Sequence, residues 1–187
     1  MRVERTAKIY PCALVIDDRG ALTMGARSQI DDFAFVNAGQ LCRIGRFVHI
    51  ASFVSVIGGG TFIIDDFSGL SAGCRVITGT DDYTGPFLTN PTVPREFTNR
   101  QVSHVTIGKY VVVGTNAVLF PGVTLGEGVA VAACAVVRRD LAPWGVYAGD
   151  PIRKIGERDG ATIREKAANL LGRLELEAAA ERDLLAL

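Results

Sequence analysis

The sequence predicts an all-β chain wound into a parallel β-helix of hexapeptide repeats, with one ejected loop and a C-terminal α-helix. Three observations predict it: a six-residue aliphatic repeat, an aperiodic proline-containing stretch inside it, and a terminal segment with helical spacing. A period of six fits neither a helix nor a single strand. A unit this short buries its apolar residue only by stacking on copies of itself. The clearest run of the repeated position is Ile107, Val113, Leu119, Leu125, Val131 and Val137.

Each six-residue block is interpreted as a short strand followed by a corner. Side chains alternate between faces along a strand, so the aliphatic residue and the residue two before it both point inward. Three such strands close a triangular coil of about 18 residues, with coils about 4.8 Å apart. Two slips of two residues adjust the register, and about five coils result. The inward positions before the loop are Met24, Ile30, Val36, Ile44, Ile50, Val56, Ile64, Leu70 and Val76. Residues 1–20 are expected to form only an entry strand, Leu14–Ile16, and a turn.

The repeat stops at residues 81–104, a stretch with three prolines and no period. We interpret it as a loop ejected from the coil, and a loop of this length in a compact domain is usually functional or disordered. Its aromatic residues Tyr83, Phe87 and Phe97 favour packing over disorder.

The chain becomes helical from Thr162, where Thr162 and Glu165 match a capping box. Apolar residues then follow at helical spacing: Ile163, Ala167, Leu170, Leu171 and Leu174. This stripe is expected either to pack on the end of the β-helix or to lie at a subunit interface. The sequence thus divides into a β-helix domain over 1–157 and a helical extension over 158–187.

Composition excludes several classes of partner. Twenty basic residues balance twenty acidic ones, which gives no general attraction to nucleic acid or to an acidic membrane surface. The four cysteines form no CxxC pair, and Cys74 falls in the inward column, so we expect a buried free thiol there. The sequence contains neither a signal peptide nor an apolar run of membrane-spanning length, which predicts a cytoplasmic protein without a membrane span.

Two histidines are candidates for acid–base chemistry. His49 lies between the inward residues Val48 and Ile50, so its side chain points out from a flat face of the coil. Its neighbours on the adjacent coils should be Gln29 and Gly69. A histidine beside a glycine is open to a ligand; the alternative is a solvated surface histidine. The second histidine, His104, closes the loop and is either a second candidate base or a cap of the loop end.

Hexapeptide coils with one long loop and a closing AGDP turn resemble the left-handed β-helix acyltransferases. The nearer resemblance is to the sugar O- and N-acetyltransferases of bacterial surface-polysaccharide and lipopolysaccharide synthesis, which are related to galactoside and maltose acetyltransferases. The segments that carry this resemblance are 48–60, 66–85, 90–94, the six-residue repeats that begin at residue 107, and 148–151. The resemblance implies a homotrimer, acetyl-CoA as co-substrate in a groove between two subunits, and a loop that reaches over a neighbour's site.

The resemblance also suggests a cofactor-binding set. Backbone amides of the late coils would lie along the pantetheine arm, which by position suggests Gly114, Ala132 and Ala133, whose small side chains permit close approach. Arg153 and Lys154, after the AGDP turn, would meet the phosphates of the cofactor. The alternative for this basic pair is a solvated position at the end of the β-helix.

Galactoside acetyltransferases carry a catalytic histidine in an Asp-His-Pro motif at the start of this loop, whereas this sequence has Asp81-Asp82-Tyr83. Asp82 is therefore a candidate to orient a neighbour's His49 or to bind sugar hydroxyls, with plain turn formation as the alternative. Asp81, Tyr83 and Asn90 are the loop's candidate acceptor-binding residues.

The resulting hypothesis is acetyl-CoA-dependent O-acetylation of a sugar or sugar-containing precursor, with a histidine as general base. The alternative is N-acetylation of a nucleotide-linked amino sugar, whose amine needs less help from a base. A zinc-dependent carbonic anhydrase on the same coil needs three imidazoles, which disfavours that class and predicts no metal site. The mixed outward residues also disfavour an ice-binding scaffold.

Overall fold

Three parallel sheets wrap one apolar core into a three-sided prism. The computed structural model describes the backbone of residues 1–185 and the side chains of residues 1–179. The first sheet contains β1 (Arg2–Val3), β4 (Leu22–Met24), β7 (Leu41–Ile44), β10 (Thr61–Ile64), β15 (His104–Ile107) and β18 (Val123–Leu125). The second contains β2 (Lys8–Ile9), β5 (Gln29–Ile30), β8 (His49–Ile50), β11 (Gly69–Leu70), β16 (Val112–Val113), β19 (Ala130–Val131), β21 (Gly145–Ala148) and the antiparallel β22 (Arg153–Glu157). The third contains β3 (Leu14–Ile16), β6 (Phe35–Asn37), β9 (Ser55–Ile57), β12 (Arg75–Ile77), β17 (Val118–Leu119) and β20 (Val136–Val137).

The predicted β-helix is confirmed. Consecutive strands fall on successive faces of the prism up to β20, apart from the loop strands β13 and β14. Each strand therefore pairs with the strand one coil later, which is three places later in the chain, or five where β13 and β14 intervene. All fifteen predicted inward aliphatic residues are buried, none more than 3% exposed. The residues two before them are buried as well, including Phe62, Cys42 and Cys74. The interior is therefore a packed column of side chains and not a pore.

The N-terminal segment differs from the prediction because it forms a complete first coil. β1, β2 and β3 pair in parallel with β4, β5 and β6. Ile9 and Val15 pack against the core although they are only half-buried, since no coil covers them from the other side. The six-residue spacing of Val3, Ile9 and Val15 was the signal for this coil.

An aromatic column covers the corner between the first and second sheets. Phe47, Phe67, Tyr110 and Trp144 stack with ring centroids 4.8, 5.5 and 6.1 Å apart. All four residues have positive φ, between 56 and 62°. This strained conformation costs on the order of 1 kcal/mol for a bulky residue. Stacking contributes about 0.5–1.5 kcal/mol for each pair, which offsets that cost.

The ejected loop leaves the prism through an antiparallel stem, β13 (Gly79–Thr80) and β14 (Gln101–Val102), and contains a short 3-10 helix, Arg95–Phe97. His104 was predicted to lie in the loop, but it is the first residue of β15, because the stem returns the chain to the coil at Ser103. Tyr83 is 88% exposed and Phe97 is 55% exposed. Within this chain, the loop aromatics therefore do not make the packing contacts that the sequence predicts for them.

Helix α1 (Gly160–Leu185) begins before the predicted start. Its cap is Asp159, whose carboxylate accepts the backbone N–H of Thr162 at 3.1 Å and the Thr162 hydroxyl at 2.6 Å. The predicted Thr162 cap is therefore wrong by three residues, because Asp159 accepts both bonds. Arg164 fixes the helix to the prism: it donates two bonds to Glu127 and lies 4.5 Å over the ring of Trp144. No helix in the described part of the chain is both long and apolar enough for a membrane span.

The four cysteines comprise two buried and two exposed thiols, which a thiol reagent can distinguish. Cys42 and Cys74 are buried, and burial raises the pKa of Cys42 to about 12 and that of Cys74 to about 11. Cys12 and Cys134 are exposed. Because the thiolate is the reactive form, we expect two rapidly reacting thiols in the native protein at pH 8 and four in denaturant. Four rapidly reacting thiols without denaturant would contradict the packed core.

Candidate active site

His49 lies at the start of β8 on the outer face of the second sheet, in the predicted register. It pairs with Gln29 of the preceding coil and with Gly69 of the following coil. Its side chain is 50% exposed. The stacking of inward Val48 and Ile50 in the core fixes this outward orientation.

Asp31 holds the imidazole of His49. One carboxylate oxygen lies 2.8 Å from His49 Nε2, and the other accepts a hydrogen bond from the Gln29 amide at 2.9 Å. A carboxylate only accepts, so we assign the proton of the neutral ring to Nε2 and the lone pair to Nδ1. A base oriented by a carboxylate in this way is suited to taking a proton from a nucleophile.

A cavity of about 350 Å³ opens beside this pair. We call it the His49 cavity; its lining is His49, Ala51, Gly69, Leu70, Ser71, Ala72 and Val112. Gly69 leaves the space between His49 and Val112 open. A Cβ at Gly69 would lie 3.6 Å from the His49 carbonyl oxygen, an ordinary contact, so the fold does not require glycine there. The missing side chain instead gives a ligand access to the imidazole.

The loop residues Asp81, Asp82 and Asn90 meet one another and not His49 of the same chain. Asp81 accepts the backbone N–H of Asn90 at 3.1 Å. Asp82 accepts the backbone N–H of Gly85 at 2.7 Å and the amide of Asn99 at 3.1 Å, and the Asn99 bond lowers the pKa of its carboxyl. Asp82 thus forms a turn, which is the structural alternative that the sequence offered for it. Its role toward a neighbour's His49 remains a prediction. The exposed side chain of Tyr83 stays available to a ligand.

His104 lies on a different face from His49. It occupies the first sheet, where it pairs with Thr61, and its carbonyl accepts the Gly122 N–H at 2.7 Å. The structure therefore does not bring the two histidines of one chain together.

The candidate cofactor residues follow the corner between the second and third sheets. Gly114 and Ala132 donate their N–H groups to Val131 and Tyr147 at 2.8 Å, so these two amides are already used in the stack. A Cβ at Gly114 would lie 2.5 Å from the backbone N of Ala133, which shows that this glycine is needed for coil packing. Contact with a cofactor here would use small side chains and carbonyl oxygens, and the exposed Ala133 is the most accessible of the three.

Arg153 and Lys154 lie on β22 at the far edge of the second sheet, and both are exposed. Lys154 donates to Glu157 at 2.6 Å, and this bond raises the pKa of Lys154 and lowers that of Glu157. The Lys154 side chain is exposed and paired with an acid, as expected if it is simply a solvated residue at the end of the β-helix. A role for either residue at the cofactor phosphates remains a prediction.

Comparison with known proteins gives the family. No family model matches the chain. The chain is 36% identical over 159 residues to the dTDP-4-amino-4,6-dideoxy-D-glucose acyltransferase of Escherichia coli, a match that covers 84% of this chain and 79% of the relative. The chain belongs to the hexapeptide-repeat family of sugar acyltransferases.

Two further members of this acyltransferase family extend the comparison. AntD, an N-acyltransferase from Bacillus cereus solved in complex with dTDP and coenzyme A, superposes with a TM-score of 0.84 at 31% identity and covers 91% of each chain. The candidate lipopolysaccharide biosynthesis O-acetyl transferase WbbJ of E. coli K12 is 33% identical and covers 80% of this chain and 67% of the relative. The family thus contains both N- and O-transferases, and membership alone does not choose between them.

Two residues of the candidate site were missed from the sequence. Asp31 stands two residues after Gln29, the neighbour of His49 on the preceding coil, so counting outward corner positions through the register would have found it. Ser71 stands at the same corner position two coils later, directly after inward Leu70, so the same count would have found it. The predicted pairing of a neighbour's Asp82 with His49 now competes with an observed partner within the chain.

Proposed function

We propose that this protein transfers an acyl group from acyl-CoA to the amino group of a nucleotide-linked amino sugar. The observation that carries the proposal is the Asp31–His49 pair at the His49 cavity. The acceptor class is supported by the E. coli relative, named as a dTDP-amino-sugar acyltransferase, and by AntD, solved with dTDP-4-amino-4,6-dideoxyglucose and coenzyme A.

The chemistry follows from the groups present. The neutral amine attacks the thioester carbonyl, a C–N bond forms, the C–S bond breaks, and coenzyme A leaves as the thiol. The attacking nitrogen must lose a proton, and His49 Nδ1 is free to accept it once Nε2 is held by Asp31. Ser71 lines the same cavity, which supports a role for its hydroxyl in hydrogen-bonding an oxygen of the substrate.

A path for the acyl donor leads away from the cavity along the corner of the prism. Small residues occupy this corner coil after coil: Ala51, Ser71, Ala72, Gly114, Ala132 and Ala133. A pantetheine arm on this path would meet few bulky side chains on its way to His49. Coenzyme A and 3-hydroxybutyryl-CoA were both found bound to AntD, which supports acyl-CoA as donor without restricting the acyl group to acetyl.

The AntD variants support two further assignments. The solved variants replace a serine and an aspartate that stand ten residues apart. In this chain Ser71 and Asp81 have the same separation, and Ser71 lines the His49 cavity. We propose Ser71 and Asp81 as substrate-binding residues, with Asp81 acting from the loop of a neighbouring subunit.

A homotrimer with sites between subunits is part of the proposal. The loop exposes Tyr83, Leu88 and Phe97, and the corner beside the cavity exposes the stacked pair Phe33 and Phe53. Apolar side chains exposed in this number are typical of a surface that another chain covers. Four free thiols and nucleotide-linked substrates favour the cytoplasm.

O-acetylation of a sugar is the second candidate function. A hydroxyl retains its proton at neutral pH, so its attack needs a positioned base, and the Asp31–His49 pair is such a base. The similarity to WbbJ favours the same chemistry.

One comparison of acceptors tests the proposal. Release of thiol from acetyl-CoA is measured with dTDP-4-amino-4,6-dideoxyglucose and with the same nucleotide sugar carrying a hydroxyl at the 4-position. We expect thiol release and an N-acyl product with the amine, and less than about a hundredth of that rate with the hydroxyl. Release only with the hydroxyl sugar would establish O-transfer, and release with neither would contradict the acceptor class.

A further inference from the structure

A second cavity lies at the corner between the third and first sheets, under the ejected loop. It has a volume of about 280 Å³. Its floor is formed by the corner segments 16–19 and 37–40, and its roof by Arg95, Arg100 and Val102 from the loop and its stem. We call it the arginine cavity, because Arg19 joins Arg95 and Arg100 at its wall.

The charge of this cavity is positive. Its lining includes three arginines and two aspartates, Asp17 and Asp18. The carboxylate of Asp17 is already neutralised, since it lies 2.8 Å from the α-ammonium of Met1 and accepts the backbone N–H of Ala21 at 2.7 Å. Three cations therefore stand against one uncompensated anion.

Two arginines of this cavity have no acidic partner in the part of the chain that the structure describes. Four arginines on other surfaces do have one: Arg43 pairs with Asp65, Arg46 with Asp66, Arg138 with Asp150 and Arg164 with Glu127. Arg19 and Arg95 belong to no ion pair among the described residues. Arg100 uses one N–H on the Gly58 carbonyl, which holds its guanidinium over the corner and leaves further donors free.

We propose that the arginine cavity binds the diphosphate of the nucleotide-linked acceptor, an assignment that rests on the proposed function. Guanidinium groups match phosphate oxygens in geometry and charge, and several around one cavity are typical of a diphosphate site. The volume is at the lower end of that of ligand pockets, which suits a diphosphate with part of its nucleoside. The side-chain amides of Asn37 and Gln40 supply donors and acceptors for the remainder.

The position of the cavity defines which His49 it serves. The corner between the third and first sheets lies opposite the face that carries His49 of the same chain. In the proposed homotrimer, a sugar held at this corner would therefore reach the His49 cavity of a neighbouring subunit and not that of its own chain. Because Arg95 and Arg100 come from the loop and Arg19 from the prism, a bound diphosphate also draws the loop onto the coil.

The test is calorimetric titration of the full-length protein with dTDP. We expect Arg19→Gln and Arg95→Gln each to weaken dTDP binding about 10- to 100-fold, the range for a lost charged hydrogen bond. Arg43→Gln, an exposed arginine outside the cavity, is the matched control and should change the affinity less than twofold. Inorganic pyrophosphate should compete with dTDP, and coenzyme A should bind all variants equally. Binding of dTDP to the Arg19→Gln/Arg95→Gln double variant as tightly as to wild type would overturn the site.

Turnover separates failure of this site from failure of the proposed function. With the amino-sugar nucleotide as acceptor, the double variant should show a KM raised by at least tenfold and a kcat within about threefold of wild type. An unchanged KM in the presence of wild-type turnover would remove the arginine cavity and leave the function standing. Arginine-dependent dTDP binding without any acylation of a dTDP-amino sugar would remove the function and leave a nucleoside-diphosphate site.

Discussion

Replacing His49 with alanine is expected to lower kcat by about 10²- to 10⁴-fold for a hydroxyl acceptor and by about tenfold to a hundredfold for an amine. The difference arises because a hydroxyl must give up its proton as it attacks, whereas a neutral amine attacks first and loses its proton afterwards. The KM for acyl-CoA should change little, since the substitution removes a base and not the path along the corner. Steady-state thiol release with both acceptors measures the two effects.

Two companion variants show whether the loss reflects base catalysis. Asp31→Asn keeps the size of the side chain but offers an amide in place of the carboxylate, so we expect an intermediate loss of kcat with the fold intact. His104→Ala tests the competing candidate base on the first sheet. If His104→Ala is inactive while His49→Ala turns over at the wild-type rate, the assignment of the base is reversed.

The largest effect on stability is expected at Gly58. Its φ is +105°, and a Cβ there would lie 2.2 Å from the backbone N of Gly79 and 2.8 Å from the Thr78 carbonyl carbon. Both neighbouring atoms belong to the backbone, so they cannot turn aside as a side chain would. A Cβ would therefore push the Gly58 corner away from residues 78–79, where the chain leaves the prism for the loop. We expect Gly58→Ala to lower the free energy of unfolding by about 3 kcal/mol or more, measured by urea denaturation.

Gly172→Ala is the control for this substitution. Gly172 lies within α1, where an added Cβ meets nothing within 4 Å. Alanine there should raise helix stability by up to about 1 kcal/mol, because glycine is the weaker helix former. A Gly58→Ala protein that unfolds at the wild-type urea concentration would contradict the corner geometry.

The sequence predicts the prism well because its signal is repeated. Each coil must bury an aliphatic residue at the same place, so chance substitutions do not hide the period, and all fifteen positions were found. The first coil was missed because the next inward position after Val15, Met24, comes nine residues later, which breaks the six-residue spacing. The start of α1 was placed two residues late because Asp159, one residue before the helix, is the cap in place of Thr162.

The site is predicted less completely because its partners come from corners and loops, where the residue type changes from coil to coil. The outward position of His49 and its neighbours Gln29 and Gly69 follow from strand alternation alone. Asp31 reaches His49 from the corner of the preceding coil, and its side-chain direction depends on that turn. Asp82 forms a turn in its own loop, and any contact with His49 would require a second chain.

The most direct test of the account is turnover by Gly69→Leu. A Cβ at this position makes only ordinary contacts, and a leucine side chain would fill the space between His49 and Val112. The account predicts a folded protein with a wild-type melting temperature, unchanged dTDP binding and acyl transfer reduced at least a hundredfold. A folded Gly69→Leu protein that transfers acyl groups at the wild-type rate would show that the chemistry occurs elsewhere.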